Sequence, residues 1–336
     1  MRIAIVKLSA MGDIVHAMVA LQYLKRYDPL LKIDWLVEES FAPLLEYNPH
    51  VNTILPINLK RLKTEKTALF DEIKKVRSYA GNDYDLVIDA QGLLKSALAA
   101  RLLGKNRAGF DRHSIREKGA AWLYNRHIAV PYETNVVERN LTLMLEAMDI
   151  PKKNIPVLSE LETMAPFLFF SEEDRQRVEC FLNTSLPAIV TIVGSSWESK
   201  VYPKEKFAEV IGKLEGNHLL AWGNEAEKDR ALFIAEQTGA QVLPRLSLNE
   251  LKAVIASADL VIGGDSGPTH MAWALKRPSI TLFGPTPSFR NTVQTKINRV
   301  LDCGKTIDPL RLDKTDRCIG DIDSSEVVTL AKELLS

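Results

Sequence analysis

Residues 2–8 form an apolar, β-rich run. Beyond the loop Ser9-Ala10-Met11-Gly12-Asp13 the apolar positions change to helical spacing at Ile14, Met18, Leu21 and Leu24. That pattern predicts a strand, a loop and a helix. Residues 32–37 and 86–89 repeat the short apolar run, each followed by a helical stretch, with Pro and Gly between them. Strands alternating with helices predict a parallel sheet covered on both faces. From residue 148 to 170 the pattern lapses where Pro151, Lys152, Lys153, Pro156 and Pro166 interrupt it, so the linker is expected there. A second series opens at 188–193 and continues with strands near 218–222, 241–243, 260–263 and 279–283, separated by helical stretches near 204–214, 225–237 and 248–257. The expected fold is α/β, with two doubly wound Rossmann-like domains at 1–160 and 161–320 and a C-terminal helix in 321–336 packing on the first domain. Ligands of open α/β sheets bind beyond the carboxyl ends of the strands, so two such domains facing each other would form an interdomain cleft. No internal sequence repeat is visible.

Composition narrows the class. Of 336 residues 46% are hydrophobic and 26% charged, the balance of a soluble globular chain rather than a disordered one. Lys plus Arg number 43 and so do Asp plus Glu, so no overall field recruits nucleic acid or an anionic membrane. The three cysteines, Cys180, Cys303 and Cys318, are scattered without a CxxC pair, which fits a reducing compartment. The apolar stretch after Arg2 stops at Lys7, too short for a signal peptide, and no apolar run approaches the roughly 18 residues that span a bilayer. A cytoplasmic protein, at most lying on a membrane surface, is expected.

The segment Gly263-Gly-Asp-Ser-Gly-Pro-Thr-His270 follows a strand and opens a helix. Glycines permit close backbone approach, and unpaired amides at a helix start attract an anion such as a diphosphate. Pro268 has no N–H, so Ser266, Gly267, Thr269 and the hydroxyls must be the donors. Ordinary capping explains the same residues, and neither a GxGxxG fingerprint nor a Walker A loop is present. Asp13 reads either as a helix cap or as a general base, with Lys7, Ser9 and Gly12 forming a polar rim around it; His16 reads as a helix-face residue. Lys200 lies just beyond a strand end, where it is either solvated or set to neutralise a leaving phosphate. Glu227 follows another strand end and could accept from ribose hydroxyls, with Glu225 as its rival. Asp83-Tyr-Asp85 and Asp321-Ile-Asp323 have DxD spacing, but at turn or capping positions, so no protein-bound metal is expected. Basic residues cluster at Lys60, Arg61, Lys63 and Lys66 and again at Arg107, Arg112, Arg116 and Lys118, as an acidic acceptor would require. Without interleaved aromatics they do not suggest nucleic acid.

In order, Ile5-Val-Lys-Leu-Ser-Ala-Met-Gly-Asp13, Trp35-Leu-Val-Glu-Glu39, Asp89-Ala-Gln-Gly-Leu-Leu-Lys-Ser96, Tyr124-Asn-Arg126, Lys200-x-x-Pro203, Trp222-Gly223 and Asp265-Ser-Gly-Pro-Thr-His270 resemble the lipopolysaccharide heptosyltransferases, the type I enzymes above all. These form the ADP-heptose glycosyltransferase family 9, with a GT-B fold. The resemblance implies inverting transfer of L-glycero-D-manno-heptose from ADP-L-glycero-β-D-manno-heptose to Kdo of Kdo-lipid A, in the lipopolysaccharide inner core. It implies Asp13 as base and Lys200 at the departing diphosphate. Donor contacts would come from Ser9, Gly12, Glu227, Asp265, Ser266, Gly267, Thr269 and His270, and acceptor contacts from Lys60, Arg61, Lys63 and Arg116. ADP-heptose would be the co-substrate without a metal, and the enzyme would sit on the inner leaflet of the cytoplasmic membrane. Transfer to a later core sugar, or a nucleotide-sugar-binding protein without catalysis, are the alternatives. At position 10 the chain has Ala where these enzymes often carry a hydroxyl residue.

Overall fold

The computed structural model describes residues 1–61, 65, 68–182 and 185–336. They fall into two compact units, 1–167 and 168–336. The expected linker is held by the first unit nearly to its end. Leu161 is buried, the Gln22 side chain donates to the carbonyls of Ala165 and Pro166 at 3.0 and 3.3 Å, and Asn48 donates to the carbonyl of Phe167 at 3.1 Å.

In the first unit β1 (Arg2–Val6), β2 (Lys32–Glu38), β3 (Thr53–Ile57), β4 (Leu86–Asp89), β5 (Arg107–Phe110) and β6 (Arg126–Ile128) form a parallel sheet in the order β3-β2-β1-β4-β5-β6. In the second, β7 (Ala188–Ile192), β8 (Asn217–Ala221), β9 (Gln241–Val242), β10 (Leu260–Gly264), β11 (Ser279–Phe283) and β12 (Asn298–Asp302) form a parallel sheet in the order β12-β11-β10-β7-β8-β9. Read from its other edge, this is the same topology. The central strands are apolar along their whole length because helices cover both faces: every residue of β7, β10 and β11 is buried. The helical pattern after β1 is two consecutive helices, Met11–Met18 and Ala20–Tyr27, whose buried residues include Ile14, Met18, Leu21 and Leu24.

The C-terminal helix departs from expectation. Ser324–Leu335 buries Val327, Leu330 and Ala331 in the core that Phe207, Val210, Ile280 and Leu282 build within the second unit. Its approach is tied there as well. The Ile322 carbonyl accepts from the Tyr202 hydroxyl at 3.0 Å and from Lys206 Nζ at 2.8 Å, and Ser324 Oγ donates to Glu209 at 2.6 Å. With its apolar stripe spent on these partners, the helix is an element of the second unit.

Candidate functional site

In each sheet the strand order reverses between the first strand and the fourth in sequence, and the loops leaving those two strands diverge there to leave a binding crevice. In the second unit they are the loops after β7 and β10. Ser195, three residues past the end of β7, donates from Oγ to the Asp265 carbonyl at 3.1 Å. Gly264 allows the second loop to approach: a Cβ there would lie 2.5 Å from the carbonyl oxygen of Lys200. The Lys200 ammonium then meets Asp265 Oδ2 at 2.7 Å, with the two side chains only 12% and 7% exposed. Asp265 Oδ2 also accepts from the buried Thr286 hydroxyl at 2.7 Å, and Oδ1 lies 3.0 Å from His270 Nε2. Burial by itself pushes the Asp265 carboxyl up, but Lys200 and His270 outweigh it and hold the group far below the usual carboxylate range.

Asp265 is therefore a buried, ionised hub with both oxygens engaged, and it fixes Lys200 and His270 around itself. Beside it Ser266 opens the helix Gly267–Ala274, its hydroxyl 3.0 Å from that of Thr269. The first-turn amides of such a helix have no intrahelical acceptor and point at whatever binds there. Lys200 Nζ also stands 4.7 Å from the ring centre of Trp197, and Lys314 Nζ stands 4.5 Å from the same centre.

Glu227 and Glu225 separate clearly. The Glu227 carboxylate accepts the Gly223 N–H at 2.7 Å and lies over Gly194, where a Cβ would come within 2.0 Å of its Cδ. It thus sits at the carboxyl ends of β7 and β8, while Glu225 turns outward to Lys228 at 3.7 Å with its side chain 77% exposed.

The first unit repeats the arrangement with the loops after β1 and β4. Gln91 Oε1 accepts the N–H groups of Leu8 and Ser9 at 2.8 and 3.1 Å, and the buried Lys7 donates to the Ala90 carbonyl at 2.7 Å. Asp89 is fully buried and holds its loop: it accepts the Gln91 and Gly92 N–H groups at 2.9 and 3.2 Å and the hydroxyls of Ser96 and Tyr124 at 2.8 and 2.7 Å. Asp13 is not the helix cap. Ala10 holds that position, and Asp13, third in the helix, accepts the Ala10 N–H through Oδ2 at 3.2 Å. It is half-exposed, flanked by half-buried Ser9 and Gly12, and its Oδ1 has no hydrogen-bond partner among the described residues. His16 is buried in the same helix.

The predicted acceptor cations come from two loops. Lys60 and Arg61 follow β3, and Arg116 follows β5; four strand spacings separate those strands, about 19 Å. Both groups lie at the sheet edge that carries Asp13, one on either side of it. Lys60 donates to Ser40 at 3.0 Å, and Arg61 pairs with Glu65 at 2.8 Å and Asp71 at 3.9 Å. Lys63 lies outside the described residues. Of the two DxD segments, Asp85 accepts the Arg2 N–H at 2.7 Å and Asp323 caps the C-terminal helix. Among the described residues no three His, Cys, Asp or Glu side chains gather as a metal site.

Residues 73–305 match the model of glycosyltransferase family 9 (heptosyltransferase). The chain is 37% identical to lipopolysaccharide heptosyltransferase 1 of Campylobacter coli over 99% of both chains. The chain belongs to glycosyltransferase family 9. It is therefore a glycosyltransferase, and its paired parallel sheets are the GT-B fold. Lipopolysaccharide heptosyltransferase 1 of Pseudomonas aeruginosa is 35% identical over 86% of this chain and 80% of its own. The E. coli heptosyltransferase WaaC with ADP-2-deoxy-2-fluoro heptose superposes with a TM-score of 0.79 at 28% identity, covering 99% of both chains.

Within this family member, Ser195, Gln91 and Thr286 are parts of the site that composition and motif left unassigned. Thr286 stands in Gly284-Pro-Thr-Pro287 after β11, and the strand-end position was its one available signal. Among the described residues no helix is long and apolar enough to cross a membrane.

Proposed function

We propose that the protein transfers L-glycero-D-manno-heptose from ADP-heptose to a Kdo hydroxyl of Kdo-lipid A, with inversion at the anomeric carbon. The two heptosyltransferase 1 relatives and WaaC with its ADP-heptose analogue support the reaction class. The observation that carries the donor assignment is the buried Lys200–Asp265–His270–Thr286 cluster beside the start of the helix Gly267–Ala274.

In this reading the second unit takes the donor. Asp265 does not touch the diphosphate, since an ionised carboxylate would repel it. It holds Lys200 and His270 in place, and Lys200 with the amides of Gly267 and Thr269 meets the charge that grows on the leaving ADP. Glu227, set over Gly194, accepts from the ribose hydroxyls. Ser266 and Thr269 add hydroxyl contacts. The first unit takes the acceptor. Asp13 keeps one carboxylate oxygen available to remove the Kdo hydroxyl proton as that oxygen attacks, a role worth about 10²–10⁴-fold. Ser9 and Gly12 are the further donor contacts of this reading, and Lys60, Arg61, Lys63 and Arg116 are its cations for the carboxylates and phosphates of the acceptor. No protein-held metal is needed. Because Kdo-lipid A resides in a bilayer, the protein works as a peripheral protein on the cytoplasmic face of the inner membrane.

The test is incubation of the purified protein with ADP-heptose and Kdo-lipid A, scored for ADP release and for a product heavier by one heptose. Release of ADP without that product, or no turnover with any heptose donor, overturns the proposal.

A further inference from the structure

On the helix Leu94–Leu103, Leu94 and Leu98 are four residues apart and so share a face, yet they are 47% and 54% exposed. The turn Lys118–Leu123 packs beside this helix. Its Gly119 lies against Leu94, Glu117 just before it accepts the Leu94 N–H at 2.7 Å, and its Ala120 and Ala121 are buried. Trp122, in the same turn, is 80% exposed. An indole and two leucines left in water on adjoining elements cost free energy that nothing within the unit repays.

Charge says what covers them. Between residues 94 and 122 the exposed basic side chains are Lys95, Arg101, Lys105, Arg112, Arg116 and Lys118, and none takes part in an ion pair among the described residues. The one exposed carboxylate of that stretch is Glu117, which is occupied by the Leu94 N–H. A chain with zero net charge thus carries unpaired, exposed cations throughout the same stretch of chain as these apolar side chains. A tryptophan and leucines interspersed with lysine and arginine match an anionic bilayer interface: indole and leucine enter the headgroup boundary while the cations meet lipid phosphates.

We propose that the face formed by Leu94, Leu98 and Trp122 docks the protein on an anionic lipid bilayer. The inference rests on the reading that the acceptor is lipid-linked, and it adds the surface by which the enzyme reaches it. Docking lowers the search for the acceptor to two dimensions, so its effect falls on acceptor KM and not on the chemical step.

The experiment is co-sedimentation of the full chain with vesicles of phosphatidylglycerol and phosphatidylethanolamine, against vesicles of phosphatidylcholine alone. The parent binds the anionic vesicles, less strongly as salt rises. The double variant Leu98→Ser/Trp122→Ser weakens binding by about tenfold or more, and Lys95→Ala/Arg101→Ala weakens it by about fivefold per charge at low salt. Both pairs are exposed, and unchanged circular dichroism verifies the fold. With a deacylated, water-soluble acceptor the Leu98/Trp122 variant keeps parental kcat and KM, while with acceptor in vesicles its KM rises. Failure of the parent to bind anionic vesicles, or full binding by both variants, overturns the docking face. So does a dimer in sedimentation velocity that Trp122→Ser dissolves without any change in vesicle binding, which would assign the face to a second copy. Vesicle binding through this face without heptose transfer upholds the docking and refutes the proposed reaction; transfer without vesicle binding does the reverse.

Discussion

Replacing Lys200 by methionine strands a buried carboxylate. Asp265 is 6% exposed, and its Oδ2 loses the ammonium now 2.7 Å away while keeping the Thr286 hydroxyl and His270. Breaking a buried pair by removing one partner costs about 3–5 kcal/mol. Two partners remain and methionine nearly conserves the volume, so the loss at neutral pH belongs at the lower end, about 3 kcal/mol. Its pH dependence is the sharper mark. In the parent the folded-state carboxyl lies far below its usual range, so the stability it contributes is complete above the unfolded-state value of about 3.9 and is lost only as pH falls through the lower folded value. In the variant the loss of Lys200 removes the largest cause opposing burial, so the carboxyl moves up from its position in the parent. It then takes up a proton at a higher pH than in the parent, and the penalty for burying the charge shrinks as pH falls. Urea unfolding followed by far-ultraviolet circular dichroism at neutral pH and near pH 4.5 measures both effects, and Lys200→Met/Asp265→Asn should recover most of the loss. A gap below about 1 kcal/mol at neutral pH, or one equal at both pH values, refutes the account of Asp265 as an ionised hub.

Asp13→Asn keeps an oxygen for the Ala10 N–H, so the urea midpoint should hold while turnover falls about 10²–10⁴-fold; lost stability with full turnover would make Asp13 a structural residue. Gly194→Ala puts a Cβ 2.0 Å from Glu227 Cδ and displaces that carboxylate, so calorimetry should find adenosine and ADP weakened alike. Lys200→Met should weaken ADP more than adenosine. Replacing Lys60, Arg61 and Lys63 by alanine should raise acceptor KM several-fold with donor KM unchanged, and equal acceptor binding at low salt would remove them from the acceptor site. In thiol alkylation followed by mass spectrometry the exposed Cys180 should react first. Cys318, buried and with its thiol pushed up to about 12 by that burial, should react last.

What the sequence made legible follows from burial. β1, β7, β10 and β11 are near-continuous Ile, Val and Leu runs because both faces are covered, and such runs stand out. β6, β12 and β3 lie at sheet edges as Arg-His-Ile, Asn-Arg-Val-Leu-Asp and a run broken by Pro56, with partly exposed residues and no pattern to separate them from loop. That both units are doubly wound was legible from the two βα series, but their identical strand order was not, since it needs only burial in the same order and not the same residues. At the site, Asp265 to His270 could be found because its donors are consecutive. Ser195 and Thr286 reach Asp265 across 70 and 21 positions, a proximity that only the strand order creates. Asp13 was placed at the correct strand end, but which residue capped the helix depended on backbone angles at Ala10.

Each unit is one unbroken stretch of chain, and this bears on synthesis. At about 5–20 residues per second a ribosome needs roughly 10–30 s to make the second stretch after the first is complete, long enough for the first to fold alone. The second has no such grace. The helix Ser324–Leu335 comes after every other element of its unit and supplies Val327, Leu330 and Ala331 to the core, so the apolar faces of Phe207, Ile280 and Leu282 wait unsealed until it emerges. A message broken short of that helix would therefore yield a chain with a finished first half and an open second one, a ready substrate for chaperones and proteases.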